Sequence, residues 1–482
     1  MRSAGILMPV TALPSPWGVG TLGAEARSFI DFLADAGQSI WQLLPIGPTS
    51  FGDSPYQSPS TFAGNPYLID LDDLFAEGLL ERDEYAGIDW GDDPSQVDYG
   101  TLYRERYGVL RCAVRRLLAT RRDDYDAFCA RECAWLDDYA LFMAIKDASG
   151  GAALSAWDEP LRMREPEALE AAARELAGEV AFWKAVQCLF FEQWERLRAY
   201  AHDRGIRLMG DMPIYVAEDS ADLWAHPDQF QLDEELRPTE VAGCPPDGFS
   251  ATGQLWGNPL FAWDRMEADG FPWWIERIRF QLGLYDILRI DHFRGFDSYF
   301  AIPAGAETAA GGRWRPGPGM KLLRAVEAAL GKQDIIAEDL GVLTPGVRSL
   351  MATCGFPGMD VLEFSDYDVR EGLHPTPGKV FYTSTHDTET LVGFCARSFT
   401  DGDEAAATEL AAKLVRDALA SDAGVVMMPL QDVLGLGEDA RMNTPGTIEH
   451  NWSWQAREED IVAAEALFAA LMRETGRAGV VN

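Results

Sequence analysis

The chain has 482 residues, 47% of them hydrophobic, enough to bury a large core and unlike the composition of a disordered chain. Forty-one basic against 77 acidic residues leave a formal net charge of −36. Such a surface repels phosphate backbones and anionic lipid headgroups, which argues against nucleic acid and membrane partners, whereas a neutral substrate such as a sugar is compatible with it.

Eight short apolar runs recur along the chain, most separated by helical patterns: GILMPV (5–10), SIWQLLP (39–45), RLMGDMPIYV (207–216), DILRIDHF (286–293), DIIAEDLG (334–341), GMDVLEF (358–364), KVFYTSTHD (379–387) and GVVMMPLQDVLG (424–435). A helix is expected at about 23–36, where Phe29, Ile30, Phe32 and Leu33 recur at helical spacing, and another at about 455–475. The stretch 365–378 carries no convincing helical pattern. Strands alternating with helices predict parallel pairing by right-handed crossovers, and eight such units predict a closed (β/α)₈ TIM barrel. An open dinucleotide-binding sheet is disfavoured because no GxGxxG follows the first strand.

Two long interruptions follow strands two and three. After a Gly-, Pro- and Ser-rich loop (46–67), residues 74–204 read as an inserted, mostly helical subdomain, and 217–285 as an inserted active-site loop region. Loops after barrel strands gather at the catalytic face, so both should wall the active site of a single catalytic barrel, 1–482. The N-terminus is too short in apolar residues for a secretory leader, and no stretch reaches the roughly 18 apolar residues of a membrane span, which predicts a cytoplasmic protein. Seven scattered cysteines without a CxxC pair oppose a disulfide framework or structural zinc site, and Cys129 and Cys133 read as two small buried side chains on one helical face.

Polar residues stand where barrel chemistry needs them. Asp211 lies in the third strand; Arg289, Asp291 and His292 end the fourth; Glu338 and Asp339 end the fifth; His386 and Asp387 end the seventh. A buried carboxylate without partners costs several kcal/mol, so three at neighbouring strand ends form a set. Retaining glycoside chemistry needs a nucleophilic carboxylate and a carboxylic acid about 5 Å apart, which strands four and five can supply. Arg289, two residues before Asp291, points to the same side and would keep that carboxylate ionised. Metal-assisted hydrolysis on the same fold is the rival, but the first strand has no HxH pair and the chain only six histidines. Fifteen tryptophans are many. Trp224, Trp256 and Trp263, with Tyr56 and Phe249, fall in loops where they could stack on sugars, whereas Trp41, Trp183 and Trp194 read as core.

The motifs RSAGILMP, LPSPWGVGTLG, GDSPYQSPSTFAGNPYL, GDMPIYVAEDSADLWA, GQLWGNP, RIDHFRGF, IIAEDLG, GFPGMDVLEF, STHDTET and ARMNTPGT occur in order, and the chain from about residue 2 to 454 resembles the amylomaltases, the 4-α-glucanotransferases. The resemblance implies cleavage of an α-1,4 bond of a maltooligosaccharide and retaining transfer of the glucan to another sugar's 4-hydroxyl through a covalent intermediate. It implies Asp291 as nucleophile, Glu338 as general acid/base and Asp387 as transition-state stabiliser. Arg289, His292 and His386 would contact the sugar at the cleavage point, and Ser54, Tyr56, Asp211, Asp247, Gln254 and Trp256 would lie at or near the glucan-binding surface. The loop 244–256 would form a flap that excludes water. No cofactor and no metal are implied, nor a separate C-terminal β domain; a monomer or weak homodimer is expected. The chain departs from the family pattern at Gly248 in the flap, at Thr388, where asparagine is common, and at His450, where glycine is common. An α-1,4-glucan hydrolase and a non-catalytic glucan-binding barrel are the alternatives.

Overall fold

The computed structural model describes residues 2–50, 52–246, 252–341, 343–365, 369 and 371–477. The eight barrel strands are β1 (Ser3–Leu7), β2 (Ile40–Gln42), β3 (Arg207–Met212), β4 (Ile287–Ile290), β5 (Ile335–Ala337), β6 (Met359–Val361), β7 (Val380–Tyr382) and β8 (Val425–Pro429). They form one parallel sheet in the order β6-β7-β8-β1-β2-β3-β4-β5. Seven lie within their apolar runs and β1 overlaps the first, starting two residues earlier at Ser3, because a strand covered on both faces needs apolar residues almost continuously. β5 and β6 do not ladder; a single backbone bond, Ala337 N–H to Pro357 C=O (2.9 Å), spans that seam. Gly5 permits close packing at the bottom of the barrel: a Cβ there would sit 2.5 Å from the Ile40 carbonyl oxygen.

The expected first and last helices are Ala24–Asp35 and Glu458–Glu474. Between β2 and β3 run the long helices Tyr99–Thr120, Arg122–Ala148 and Ala177–Asp203 with shorter ones among them. The last of these shapes the loop that follows β2. The side-chain amide of Gln187 accepts from Gly64 N–H (2.7 Å) and donates to its C=O (2.9 Å), and Gln193 does the same at Asp70 (2.7 and 3.0 Å). Both glutamines are buried, so a loop with little hydrophobic content of its own is fixed by satisfied buried backbone groups.

The stretch 217–285 is more ordered than a loop region. It contains strands Glu240–Cys244 and Gln254–Pro259 and helices Trp263–Ala268 and Pro272–Leu284. Those strands join Ser298–Pro303 and Arg313–Pro316 in a four-stranded antiparallel sheet beside the barrel mouth. No helix occurs among the described residues of 365–378, as the sequence suggests.

Three expectations about side chains are corrected. Trp224 is fully buried and its Nε1–H donates to the Leu161 carbonyl, and Trp263 packs among Phe261, Trp274 and Phe296, so neither offers a sugar a face. Cys129 is only half-buried and Cys133 is exposed, because the helix Arg122–Ala148 turns its polar side outward there. Trp41, Trp183 and Trp194 are core residues, as expected.

At the far end of the barrel the buried Arg477 guanidinium donates to four carbonyls: Leu419 (2.7 Å), Ser3 (3.0 Å), Ala423 (2.9 Å) and Ser421 (2.7 Å). Arg477→Ala removes the Arg477 donor from four carbonyls, of which Leu419 keeps Arg2 Nη2 (2.8 Å), and should lower stability by about 3 kcal/mol, read as a reduced midpoint in urea unfolding, with kcat unchanged at 25 °C.

Candidate active site

The register of β3 against β4 sets Asp211 opposite Arg289, and parallel partners point to the same side. Both side chains are buried inside the barrel, and Arg289 Nη1 contacts Asp211 Oδ1 at 2.6 Å. Arg289 Nη2 lies 3.1 Å from Asp291 Oδ1, so the i, i+2 relation holds in space. The guanidinium also donates through Nε to Met359 Sδ at 3.4 Å, which fixes its plane. Asp291 N–H donates to Met212 C=O (3.0 Å), placing this carboxylate just past the end of β4.

Glu338 follows β5 directly. Its N–H donates to Ile290 C=O (3.0 Å) and its C=O accepts from Phe293 N–H (3.1 Å). Its carboxylate oxygens accept from the backbone N–H of His292 (2.8 Å) and of Leu340 (2.5 Å). His292 adopts a left-handed conformation (φ 50°), which turns its amide toward Glu338. Burial raises the Asp291 carboxyl to about 6 against the opposing pull of Arg289. Arg289 favours the ionised form of Asp291, as expected, while burial is the larger of the two opposing effects. Glu338 is raised further, to about 7, because the negative charge of Asp291 adds to its burial. Two nearby carboxyls are thereby raised together in different settings, one beside the Arg289 guanidinium and one on two backbone amides.

On the third side His386 Nε2 stands 3.2 Å from Asp387 Oδ2 and 2.8 Å from the Tyr56 hydroxyl, which in turn donates to Asp211 Oδ2 at 3.0 Å. One network therefore runs from Asp387 through His386 and Tyr56 to Asp211 and Arg289. Burial works to raise Asp387, yet His386 and Asn443 outweigh it and hold the carboxyl at about 2. Burial works to lower His386, and Asp387 more than offsets it. His292 is lowered to about 3 by burial, so its imidazole is neutral. Among the described residues His292 Nε2 and His386 Nδ1 are buried without hydrogen-bond partners, which suits them to meet hydroxyl groups.

The remaining expected residues divide. Trp256 meets the His292 ring edge-on with centroids 4.8 Å apart, and its Nε1–H donates to Gln254 Oε1 (3.0 Å), so Gln254 orients the indole. Ser54 is used locally: its hydroxyl accepts from Tyr56 N–H (3.2 Å) and shapes the turn that presents Tyr56. Asp247, Phe249 and Gly248 lie outside the described residues, as does the middle of the flap expected at 244–256. Thr388 closes the turn carrying His386 and Asp387, its hydroxyl accepting from Thr385 N–H at 2.9 Å. His450 has φ 61°, the conformation for which glycine is the usual choice.

Residues that sequence reasoning left unassigned complete the site. Asn443 Nδ2 donates to Asp387 Oδ1 (2.6 Å), and Arg441 Nη2 donates to the Asp387 carbonyl (3.1 Å). Both belong to the ARMNTPGT motif, which was the available signal. Gln57 Nε2 donates to Asn258 Oδ1 (3.2 Å), tying the Tyr56 loop to the strand that bears Trp256. Asn443→Ala should reduce kcat about tenfold by freeing Asp387, and Asn443→Asp should reduce it further by placing a like charge beside it, both read as initial rates at saturating substrate.

A parallel eight-stranded barrel with carboxylates after strands four, five and seven, the first two buried at adjacent strand ends, defines a glycoside-processing enzyme of the paired-carboxylate class. Residues 8–460 match the family described as 4-alpha-glucanotransferase. Over 477 residues the chain is 48% identical to the 4-alpha-glucanotransferase of Thermus thermophilus, covering 94% of each. Over 478 residues it is 44% identical to that of Streptococcus pneumoniae, covering 96% of this chain and 95% of the relative. The structure is similar to an amylomaltase from Streptococcus agalactiae solved in complex with acarbose, with a TM-score of 0.95 and 39% identity over 99% of this chain and 100% of that one. An amylomaltase from Corynebacterium glutamicum, 20% identical with a TM-score of 0.78 over 99% of this chain and 75% of its own, shares the fold. The chain belongs to the 4-alpha-glucanotransferase family, and it is an enzyme of glucan transfer.

Proposed function

We propose that this enzyme cuts an α-1,4 bond of a maltooligosaccharide or starch donor, holds the glucan on Asp291 and passes it with retention to the 4-hydroxyl of an acceptor glucan or glucose. The carrying observation is the placement of two carboxylates at adjacent strand ends: Asp291 past β4, paired with Arg289 (3.1 Å), and Glu338 past β5, held by the backbone amides of His292 and Leu340. Asp291, ionised and steadied by Arg289, attacks the anomeric carbon; Glu338 donates its proton to the departing 4-oxygen and later takes the proton of the incoming hydroxyl. Asp387, the most acidic of the three, stays charged beside the sugar and stabilises the oxocarbenium-like transition state. Tyr56, Asp211, His292, His386, Gln254 and Trp256 line the glucan; Ser54 and Asp247 belong to the same surface, Ser54 through its turn. The helical insertion 74–204 and the stretch 217–285 wall the cleft, and the latter excludes water from the intermediate. Seven scattered cysteines without a CxxC pair support a reducing compartment and hence the cytoplasm. The protein acts as a monomer or weak homodimer.

Incubation with maltotriose tests transfer. Glucose and longer oligomers should accumulate while the total of reducing ends stays constant. A steady rise in reducing ends would make the protein a glucan hydrolase, and binding without turnover would make it a glucan-binding barrel.

A further inference from the structure

Glu338 is held unevenly. Toward β4 it is fixed by two backbone bonds, Glu338 N–H to Ile290 C=O and Phe293 N–H to Glu338 C=O, and by the His292 amide on its carboxylate. Toward β6 the strand ladder is missing, and only the Ala337–Pro357 bond crosses below. The next residue fills that gap. Asp339 is buried, and its Oδ1 accepts from Met359 N–H at 2.7 Å, replacing with a side chain the ladder bond that β5 and β6 do not make. Its Oδ2 accepts from Lys379 Nζ at 2.6 Å, and that ammonium also donates to Met359 C=O at 2.9 Å. Gly358 makes room for this clamp, since a Cβ there would lie 2.6 Å from the Asp339 carboxylate. The clamp reaches the chemistry twice. Leu340, whose N–H supports Glu338 Oε1, is the residue on the other side of Asp339. Met359 is also the residue whose sulfur accepts from Arg289 Nε.

We propose that Asp339, clamped by Lys379 and the Met359 amide across the unpaired β5–β6 seam, is a positioning residue that sets where Glu338 delivers its proton. This rests on Glu338 being the general acid. A side-chain clamp holds the 338–340 backbone from the side where no strand does, and a displacement of about 1 Å at a catalytic group can cost on the order of 100-fold in rate. The competing explanation is that the ion pair merely keeps the barrel shut.

Two donors separate the possibilities. Breaking the bond in maltotriose requires protonation of a sugar leaving group, whereas α-maltotriosyl fluoride releases fluoride with little help from an acid. Initial rates on maltotriose and fluoride release within the first turnover are measured for wild type, Asp339→Ala, Asp339→Asn and Glu338→Gln. Asp339→Ala should lose on the order of 100-fold on maltotriose with KM little changed, and less than about fivefold in fluoride release. Asp339→Asn keeps an acceptor for the Met359 amide but loses the charge facing Lys379, and should fall between the two; it carries the test alone if the alanine variant does not fold. Equal losses on both donors, or no loss on maltotriose, would overturn the proposal. Glu338→Gln is the control for the premise: it should spare fluoride release while losing maltotriose turnover, and equal losses there would remove the acid role of Glu338 itself.

Discussion

Asp291→Asn should abolish turnover of maltooligosaccharides, by on the order of 10⁴-fold or more, while leaving the affinity for a maltooligosaccharide within about tenfold of wild type. The size follows from chemistry. An amide oxygen is a poor nucleophile, and no other carboxylate can take over: Asp387 is held by Asn443 and faces His386, while Glu338 is bound at both oxygens by backbone amides. The small effect on binding follows from geometry. Asn and Asp share a shape, and Arg289 retains its buried partner Asp211 on β3 when the charge of Asp291 is removed. Calorimetric titration with maltoheptaose alongside initial-rate measurements checks both halves. Survival of activity would place the nucleophile elsewhere, and loss of binding together with rate would mean that the substitution had disturbed the Arg289–Asp211 base of the site.

Glu338→Gln should lower the rate on maltotriose about 1,000-fold, within the range spanned by general acid–base groups, and should change the shape of the pH profile. In the wild type the productive form has Asp291 ionised and Glu338 protonated. Burial raises Asp291 to about 6, so kcat/KM should rise as pH passes through that value. Burial and the neighbouring Asp291 charge raise Glu338 to about 7, so kcat/KM should fall beyond that value as the acid loses its proton. The two carboxyls titrate as a pair, and the bell is correspondingly narrow. In Glu338→Gln the rising limb should persist and the falling limb should vanish. A falling limb that survived would belong to another group, and the assignment of the acid would move with it.

The barrel was readable from sequence because each parallel strand is a largely apolar run; seven lie inside the segments so marked, and β1 begins two residues before its own. The candidate carboxylates were readable because polar residues ending such runs have few structural reasons to be there. The antiparallel sheet beside the barrel was missed, although Ser298–Pro303 (SYFAIP) carries a β-like composition, because one of its two partners, Glu240–Cys244, lies some sixty residues earlier and pairing at that range leaves no periodicity. Trp224 and Trp263 were misplaced for a related reason: a tryptophan in an insertion reads as exposed, whereas these two lie on the short helices Ala221–Ala225 and Trp263–Ala268, which pack them inward. Asn443 carried a motif but no visible task until the turn Thr385–Thr388 brought Asp387 to its amide. The rise in the Asp291 pKa was likewise invisible, since spacing shows the arginine beside it but not the depth at which both are buried.

The central claim is that Asp291 carries the glucan covalently. Glu338→Gln treated with α-maltotriosyl fluoride tests it most directly, because the fluoride can load the enzyme without an acid while the missing base slows release. Intact-protein mass spectrometry should show a gain of one maltotriosyl unit, and peptide mapping should place it on the fragment containing Asp291, with Asp291→Asn gaining nothing. Fluoride release with no covalent gain, or a gain on a fragment without Asp291, would contradict the account.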